Sequence, residues 1–337
     1  MKSLCKYLIL LVLGAAAFQG CSLVDEDMRD CEADTRLDYE LRLVTNMTTE
    51  LQTQLSLEAD VEVAAALKTC WQEIFTDRAH DVDLSFYDVA EPWERLHHEQ
   101  HVMDASQTSY SLYIPVRRYM HLAVANLEGN GSLRLEDDLY SGTAALRQQL
   151  ADTLDSQTKG IFTARLPMDI REGVDQEFDV RLYMANSASA LVLDTLDSHV
   201  KDVRVYGAGF ATEFSLADSV YHFPYTPVYR ARKVEVGDTP GEPLCYTTVT
   251  FPSRSSRESK AEASDALWQL RVYATMPDGT ITESVVYVTA PLEAGKVKII
   301  KGKIYGNGAL VPEKGDPTVG VTVQVDWSPG MEHEVIL

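Results

Sequence analysis

The chain has 337 residues, with 51 Asp and Glu against 30 Lys and Arg, giving a formal net charge of −21. Its 45% apolar content is that of a globular protein, and its length suits about two domains. An excess of carboxylates on this scale repels phosphate backbones and anionic leaflets, which excludes nucleic acid as a partner.

At the N-terminus, Lys2 and Lys6 precede an apolar run from Tyr7 to Phe18, broken only by Gly14. The run is too short for a hydrocarbon core of about 30 Å, which takes about 20 apolar residues, and it has the form of a secretory h-region. It ends in Ala15-Ala16-Ala17-Phe18-Gln19-Gly20-Cys21, and a small residue followed at once by Cys is what a lipoprotein signal peptidase requires. Residues 1–20 therefore read as a lipoprotein signal peptide and Cys21 as the lipidation site. The alternative, secretion with cleavage after an alanine, leaves Cys21 a plain thiol. Each buried CH₂ is worth about 0.8 kcal/mol, so several acyl chains on one sulfur anchor a protein firmly. Residues 21–35 carry Asp25, Glu26, Asp27 and Asp30 and form an acidic tether, similar to the export tag of Bacteroidia lipoproteins displayed on the outer face of the outer membrane.

Cys31, Cys70 and Cys245 have no zinc-site spacing. In an oxidising envelope Cys31 and Cys70 could pair, closing a loop of about forty residues. Buried free thiols are the alternative, and Cys245 reads as a core residue.

Most of the remaining chain alternates with the period of a strand. Arg36 to Leu43 puts Leu37, Tyr39, Leu41 and Leu43 on one face and Arg36, Asp38, Glu40 and Arg42 on the other. Within a segment at 60–76, Val63, Ala66, Leu67, Cys70, Trp71, Ile74 and Phe75 fall at helical spacing and predict an amphipathic helix, lying in an insertion over 48–77. Strands follow at 82–86, 110–114 and 120–127. Leu146, Leu150 and Leu154 suggest a second, weaker helix over 143–154. Further strands are predicted at 178–184, 191–193, 203–206, 246–251, 267–274, 281–288, 297–305 and 319–327. In the last, Val319, Val321, Val323, Val325 and Trp327 share one face. Short strands separated by turns such as Pro277-Asp278-Gly279 define an all-β chain of tandem antiparallel sandwiches. The polar stretch 155–160 places the domain boundary, giving domains over 36–157 and 158–337.

Candidate chemistry is sparse. His97-His98-Glu99-Gln100-His101 lacks the spacing of a zinc protease and reads as a solvated hairpin loop, so no metal is expected. Gly207-Ala208-Gly209-Phe210-Ala211-Thr212 has Thr where a dinucleotide fingerprint needs its third glycine, and Glu213-Phe214-Ser215-Leu216 after it is strand-like; a bulge or tight turn is expected. No phosphate-binding loop, nucleophile elbow or Cys–His pair occurs, so the reading is a non-enzyme with no catalytic residues and no cofactor.

Taken together, Cys21 to Cys31, the segment Ala79-His80-Asp81-Val82-Asp83-Leu84-Ser85-Phe86-Tyr87-Asp88, the run Tyr113 to Asn126, Phe178 to Asn186 and the terminal Val325-Asp326-Trp327 resemble the anchor and accessory subunits of type V fimbriae. The resemblance covers nearly the whole mature chain and implies two transthyretin-like domains, with the helical insertion in the first. It also implies lipid anchorage in the outer membrane at the cell surface, and attachment or regulation of a fimbrium through strand exchange with other subunits. A chain tethered at its N-terminus keeps its first strand, so the next subunit would be engaged through the C-terminal end. There Met331, His333, Val335 and Leu337 alternate with Glu332, Glu334 and Ile336, as a donor segment should; a frayed tail or last edge strand is the plainer reading. A reading from a different class is a glycan-binding surface lipoprotein using Trp93, Tyr110, Tyr221, Tyr225 and Tyr229 as a platform.

Overall fold

The computed structural model describes residues 34–44, 55, 59–72, 74–75, 79–90, 93–102, 109–136, 140–174, 176–194, 199–236, 243–255, 266–313 and 316–327. The alternating segment at 36–43 is realised as β1 (Asp34–Val44), and the helical spacing after it as α1 (Val61–Cys70). The strands continue as β2 (Asp81–Asp88), β3 (Arg95–Val102), β4 (Ser109–Pro115), β5 (Arg118–Ala125), β6 (Leu133–Glu136), β7 (Ala145–Gln148) and β8 (Thr153–Asp155). Next come β9 (Phe162–Asp169), β10 (Glu177–Met184), β11 (Ser187–Asp194) and β12 (Asp202–Ala208), then the short strands β13 (Glu213–Ser215), β14 (Val220–His222), β15 (Val228–Arg230) and β16 (Arg232–Val234). The chain closes with β17 (Leu244–Thr250), β18 (Trp268–Thr275), β19 (Ile281–Val288), β20 (Val297–Ile304), β21 (Leu310–Pro312) and β22 (Val319–Trp327). The expected all-β class is what the structure shows.

These strands form a seven-stranded sheet in the order β3-β2-β5-β9-β10-β1-β4 and a four-stranded sheet, β14-β13-β7-β6. A five-stranded sheet, β16-β17-β11-β20-β21, and a six-stranded sheet, β22-β19-β18-β12-β15-β8, make up the rest. The first strand lies inside its sheet: β1 pairs parallel with β10, Asp38 to Val44 against Glu177 to Tyr183, and antiparallel with β4, Asp34 to Glu40 against Pro115 to Ser109.

Three cores join the layers. The seven-stranded sheet packs one face on the four-stranded sheet through Leu122, Val124, Leu146 and Phe214. Its other face meets the five-stranded sheet across α1, which contributes Val63 and Leu67, with Trp71, Ile74 and Phe75 just beyond it; Ala123, Leu182, Val192, Val249 and Val297 complete this core. The five-stranded sheet turns its remaining face, with Leu191, Leu193 and Ile300, to Val205, Leu270 and Val286 of the six-stranded sheet. The helix spacing i, i+4, i+8 of Val63, Leu67 and Trp71 gives one apolar stripe, and Glu62 in the first turn and Lys68 in the last complement its dipole. Trp71 Nε1 donates to Thr247 Oγ1 at 2.7 Å, fastening the end of the helix to β17.

One expectation is corrected. Residues 143–154 are not helical: a 3₁₀ turn at Ser141–Thr143 leads into β7 and then β8. Leu146 and Leu154 are buried in different cores, while Leu150 is 80% exposed between them, so their spacing imitates a helix without forming one. In the sheets, β9 and β10 complete the first sheet and the second pair of sheets starts at β11, while β8 crosses into the later sheet and β13 and β14 return to the earlier one. The polar stretch at 155–160 is a crossing inside an interlocked pair, where Gln157 N donates to Val249 O and Asn186 Nδ2 to Gln157 Oε1. The β19–β22 register slips between Ile281 and Thr282, which pair with Trp327 and Val325.

Gly209 shows why the 207–212 segment is a tight turn. Its φ is +93°, and a Cβ there would lie 2.8 Å from Trp268 Cα and 2.9 Å from Leu267 O. Phe210 then bridges Ser253 and β13 follows, as the sequence predicts for a turn leading into a strand.

Candidate functional site

For an all-β chain read as an assembly component, the sites that matter are sheet edges and whatever chemistry they carry. Cys21, Cys31, Met331, His333, Val335 and Leu337 lie outside the described residues, so lipidation, the Cys31–Cys70 pairing and the donor segment stay expectations. Cys70 ends α1, where its Sγ sits 2.6 Å from Arg232 Nη2. Cys245 is a buried core residue on β17, and burial pushes its thiol up to about 12.

The histidine-rich segment is a strand, not a loop. As β3 it forms one edge of the seven-stranded sheet, pairing antiparallel with β2. Strand geometry sends alternate side chains to opposite faces, so one run of residues makes two separate polar clusters. On one face, Nε2 of His97 and of His101 donate to the two carboxylate oxygens of Glu99, at 2.6 and 2.7 Å. On the other, His98 Nε2 and Gln100 Nε2 donate to Asp83 Oδ2, at 2.8 and 2.9 Å, and Ser85 Oγ donates to Asp83 Oδ1 at 3.3 Å. Asp83 is buried, and these donors are what make its burial tolerable.

One strand further in, His121 of β5 is fully buried. Its Nδ1 donates to Ser85 O at 3.0 Å, and its ring stacks on Phe86 at 4.3 Å with 17° between planes. Burial lowers its pKa from 6.5 to about 4, against the smaller raising effects of the Ser85 hydrogen bond and Asp83, so at neutral pH it is an uncharged member of the core. The polar edge is thus built of carboxylate–imidazole pairs with every carboxylate engaged. Among the described residues no group of three or more His, Cys, Asp and Glu is placed to hold a metal ion.

The aromatic platform is not assembled. Tyr229 is fully buried, Tyr221 donates to Ala185 O at 2.7 Å from a half-buried position, and Tyr225 donates to Gln149 O at 2.8 Å. Trp93 is exposed, in the left-handed region at φ 61°, beside exposed Tyr140, whose partner in a β-bridge is Glu94. The signal the sequence reading missed is the edge role of β3, where charged and amide side chains on both faces replace the usual apolar alternation. Charged edges of this kind block unwanted pairing.

The architecture defines the class: tandem all-β sandwiches sharing an interposed helix, with a seven-stranded sheet that encloses its own first strand. No family model matches the sequence, and no curated protein matches it. The fold is shared with solved structures. A candidate adhesin from Bacteroides ovatus matches with a TM-score of 0.52 at 14% identity, covering 89% of this chain and 96% of that one. A candidate polysaccharide-binding protein from Bacteroides thetaiotaomicron matches with a TM-score of 0.51 at 9% identity, covering 85% of this chain and 97% of that one. The fimbrial anchor protein Mfa2 from Porphyromonas gingivalis gives 0.48 at 8% identity over 86% and 99% of the two chains, a likeness too loose to argue from. What the Bacteroides ovatus and Bacteroides thetaiotaomicron structures share with this chain is the fold.

Proposed function

We propose that this chain is an adhesion-related subunit of a fimbrium, displayed at the cell surface and held in the outer membrane by lipid on Cys21. The observation that carries the reading is the fold, shared over 89% of the chain with a Bacteroides ovatus protein described as an adhesin. The signal-like N-terminus, Cys21 and the acidic tether supply the route to the surface. The position of β1 supports the proposed direction of assembly: held between β10 and β4, it cannot be given up without opening the sheet, so the C-terminal end is left to join the next subunit by strand exchange. The role is non-catalytic. Immunoprecipitation of the full chain from solubilised outer membranes, with mass spectrometry of the captured proteins, tests it. Fimbrial subunits are the expected partners, and a capture from fimbriated cells that contains none of them overturns the reading.

The polysaccharide-binding description of the Bacteroides thetaiotaomicron neighbour supports a second reading, a glycan-binding surface lipoprotein. The tyrosines Tyr221, Tyr225 and Tyr229 do not provide its site.

A further inference from the structure

The chain passes from β15 in the six-stranded sheet to β16 in the five-stranded sheet at the side of the second sandwich. Ala231 makes the crossing, its N–H donating to Val205 O at 2.9 Å. Beside it lies a cleft of about 420 Å³ lined by Lys201, Arg204, Arg230 and Lys233, with Asp202 the one carboxylate of the lining among the described residues. In a chain with 51 acidic and 30 basic residues, the four cations here slightly outnumber the described carboxylates paired with them, Asp202, Asp155 and Glu235. The four come from two stretches some thirty residues apart in sequence, brought together by the pairing of β12 with β15.

Their existing partners leave them available. Arg204 Nε is 3.8 Å from Asp202, Arg230 Nη1 is 3.2 Å from Asp155, and Lys233 Nζ is 3.2 Å from Glu235. All of these cations are exposed, and exposed pairs are worth about 0–1 kcal/mol, so an arriving anion can take them over. Apolar surface completes the cleft. Leu244 and the half-buried Tyr206 contribute to it, and so does the ring of Tyr246, whose hydroxyl is committed to Val203 O at 2.8 Å.

A bare inorganic anion would use the cations and leave this apolar surface wet. A neutral sugar would use the surface and leave the cations idle. The ligand that uses both carries a carboxylate or sulfate on a ring with an apolar face, and the volume is that of a small-ligand site. We propose that this cleft binds an acidic saccharide, its anionic group held by Lys201, Arg204, Arg230 and Lys233 and its ring lying against Tyr206 and Leu244. This gives the glycan-binding reading a site, on which it rests, and is independent of the assembly role.

Isothermal titration of the full chain with an oligogalacturonate, a heparin-derived tetrasaccharide and maltotriose tests it. At least one anionic sugar should bind saturably, more weakly at high salt, and maltotriose should bind at least about tenfold more weakly. A Lys201→Glu, Arg204→Glu double variant should lose about tenfold or more in affinity while keeping the parent's denaturation midpoint, because both side chains are exposed. If that variant is destabilised, Lys201→Gln with Arg204→Gln answers the same question with less perturbation. Undiminished binding in the folded variants overturns the cleft but leaves the glycan reading standing. No binding of any of the three sugars overturns both. Crosslinks from Lys201 or Lys233 to the acidic residues of the 22–31 segment in the free chain would also overturn it, by giving the cleft to the chain's own tether.

Discussion

Trp71 and Thr247 stand 176 residues apart in sequence and 2.7 Å apart in space, the indole N–H donating to the threonine hydroxyl, which itself donates to Ser189 O at 3.1 Å. Through this pair the helix inserted after the first strand is bonded to the second sandwich. Thr247→Val leaves a buried indole donor without its acceptor and should cost about 1–3 kcal/mol. Trp71→Ala also empties a fully buried site between two sheets and should cost about 3–5 kcal/mol. Urea midpoints followed by far-UV circular dichroism measure both.

The same junction depends on a glycine. A Cβ on Gly160 would sit 1.9 Å from the carbonyl oxygen of Ile74, a backbone atom that cannot swing aside as a side chain can. Gly160→Ala should therefore destabilise the fold by about 1–3 kcal/mol or more, since relief requires moving the segment after the helix. A denaturation midpoint equal to wild type would show that the two segments do not pack this closely.

His121 sets a pH dependence. Its pKa falls from 6.5 to about 4 on folding, so between these values the unfolded chain binds the proton and the native chain does not. The contribution is fully present above pH 6.5 and is lost as pH falls from there towards 4, amounting to about 3 kcal/mol. His121→Gln removes the titrating group, so the stability difference between wild type and variant should shrink across this window as the solution is acidified. The histidines of β3 are common to both proteins and drop out of the comparison. A difference that stays constant with pH would show that His121 does not titrate abnormally.

The proposed anchorage through Cys21 and the proposed assembly role of 331–337 can be tested separately by mutation. Cys21→Ala should move the protein from the outer-membrane fraction to the soluble fraction, and intact-mass measurement of the wild-type mature chain should show acyl groups on Cys21. Deleting 331–337 should leave the protein in the membrane but detach or shorten the fimbria. Normal fimbriation of the deletion strain would remove that segment from the assembly mechanism.

How much of this the sequence shows depends on what each element has to bury. β19, β20 and β22 are readable because β-branched residues recur at period two, as a half-buried sheet face demands. β3 is unreadable by that rule: at the sheet edge its two faces are finished with imidazole–carboxylate pairs, and Arg95-Leu96-His97-His98-Glu99-Gln100-His101-Val102 shows no apolar face. The false helix at 143–154 has the opposite cause, three leucines at helical spacing that belong to two strands and the turn between them. The cationic cleft could not be seen at all, because Lys201 and Arg204 meet Arg230 and Lys233 only through strand pairing. Trp71 was legible as core; its bond to Thr247 was not.

The interior position of β1 has a mechanical consequence. A load entering the folded body at Asp34 and directed along this strand is shared at once by the hydrogen bonds to β10 on one side and β4 on the other. Such a strand must slide past two neighbours together, whereas a terminal strand at a sheet margin can peel away rung by rung. Resistance to forced unfolding is a matter of the unfolding rate rather than of equilibrium stability. A body towed by its leading end through β1 would therefore outlast, under tension, one of equal stability whose first strand lay at the rim.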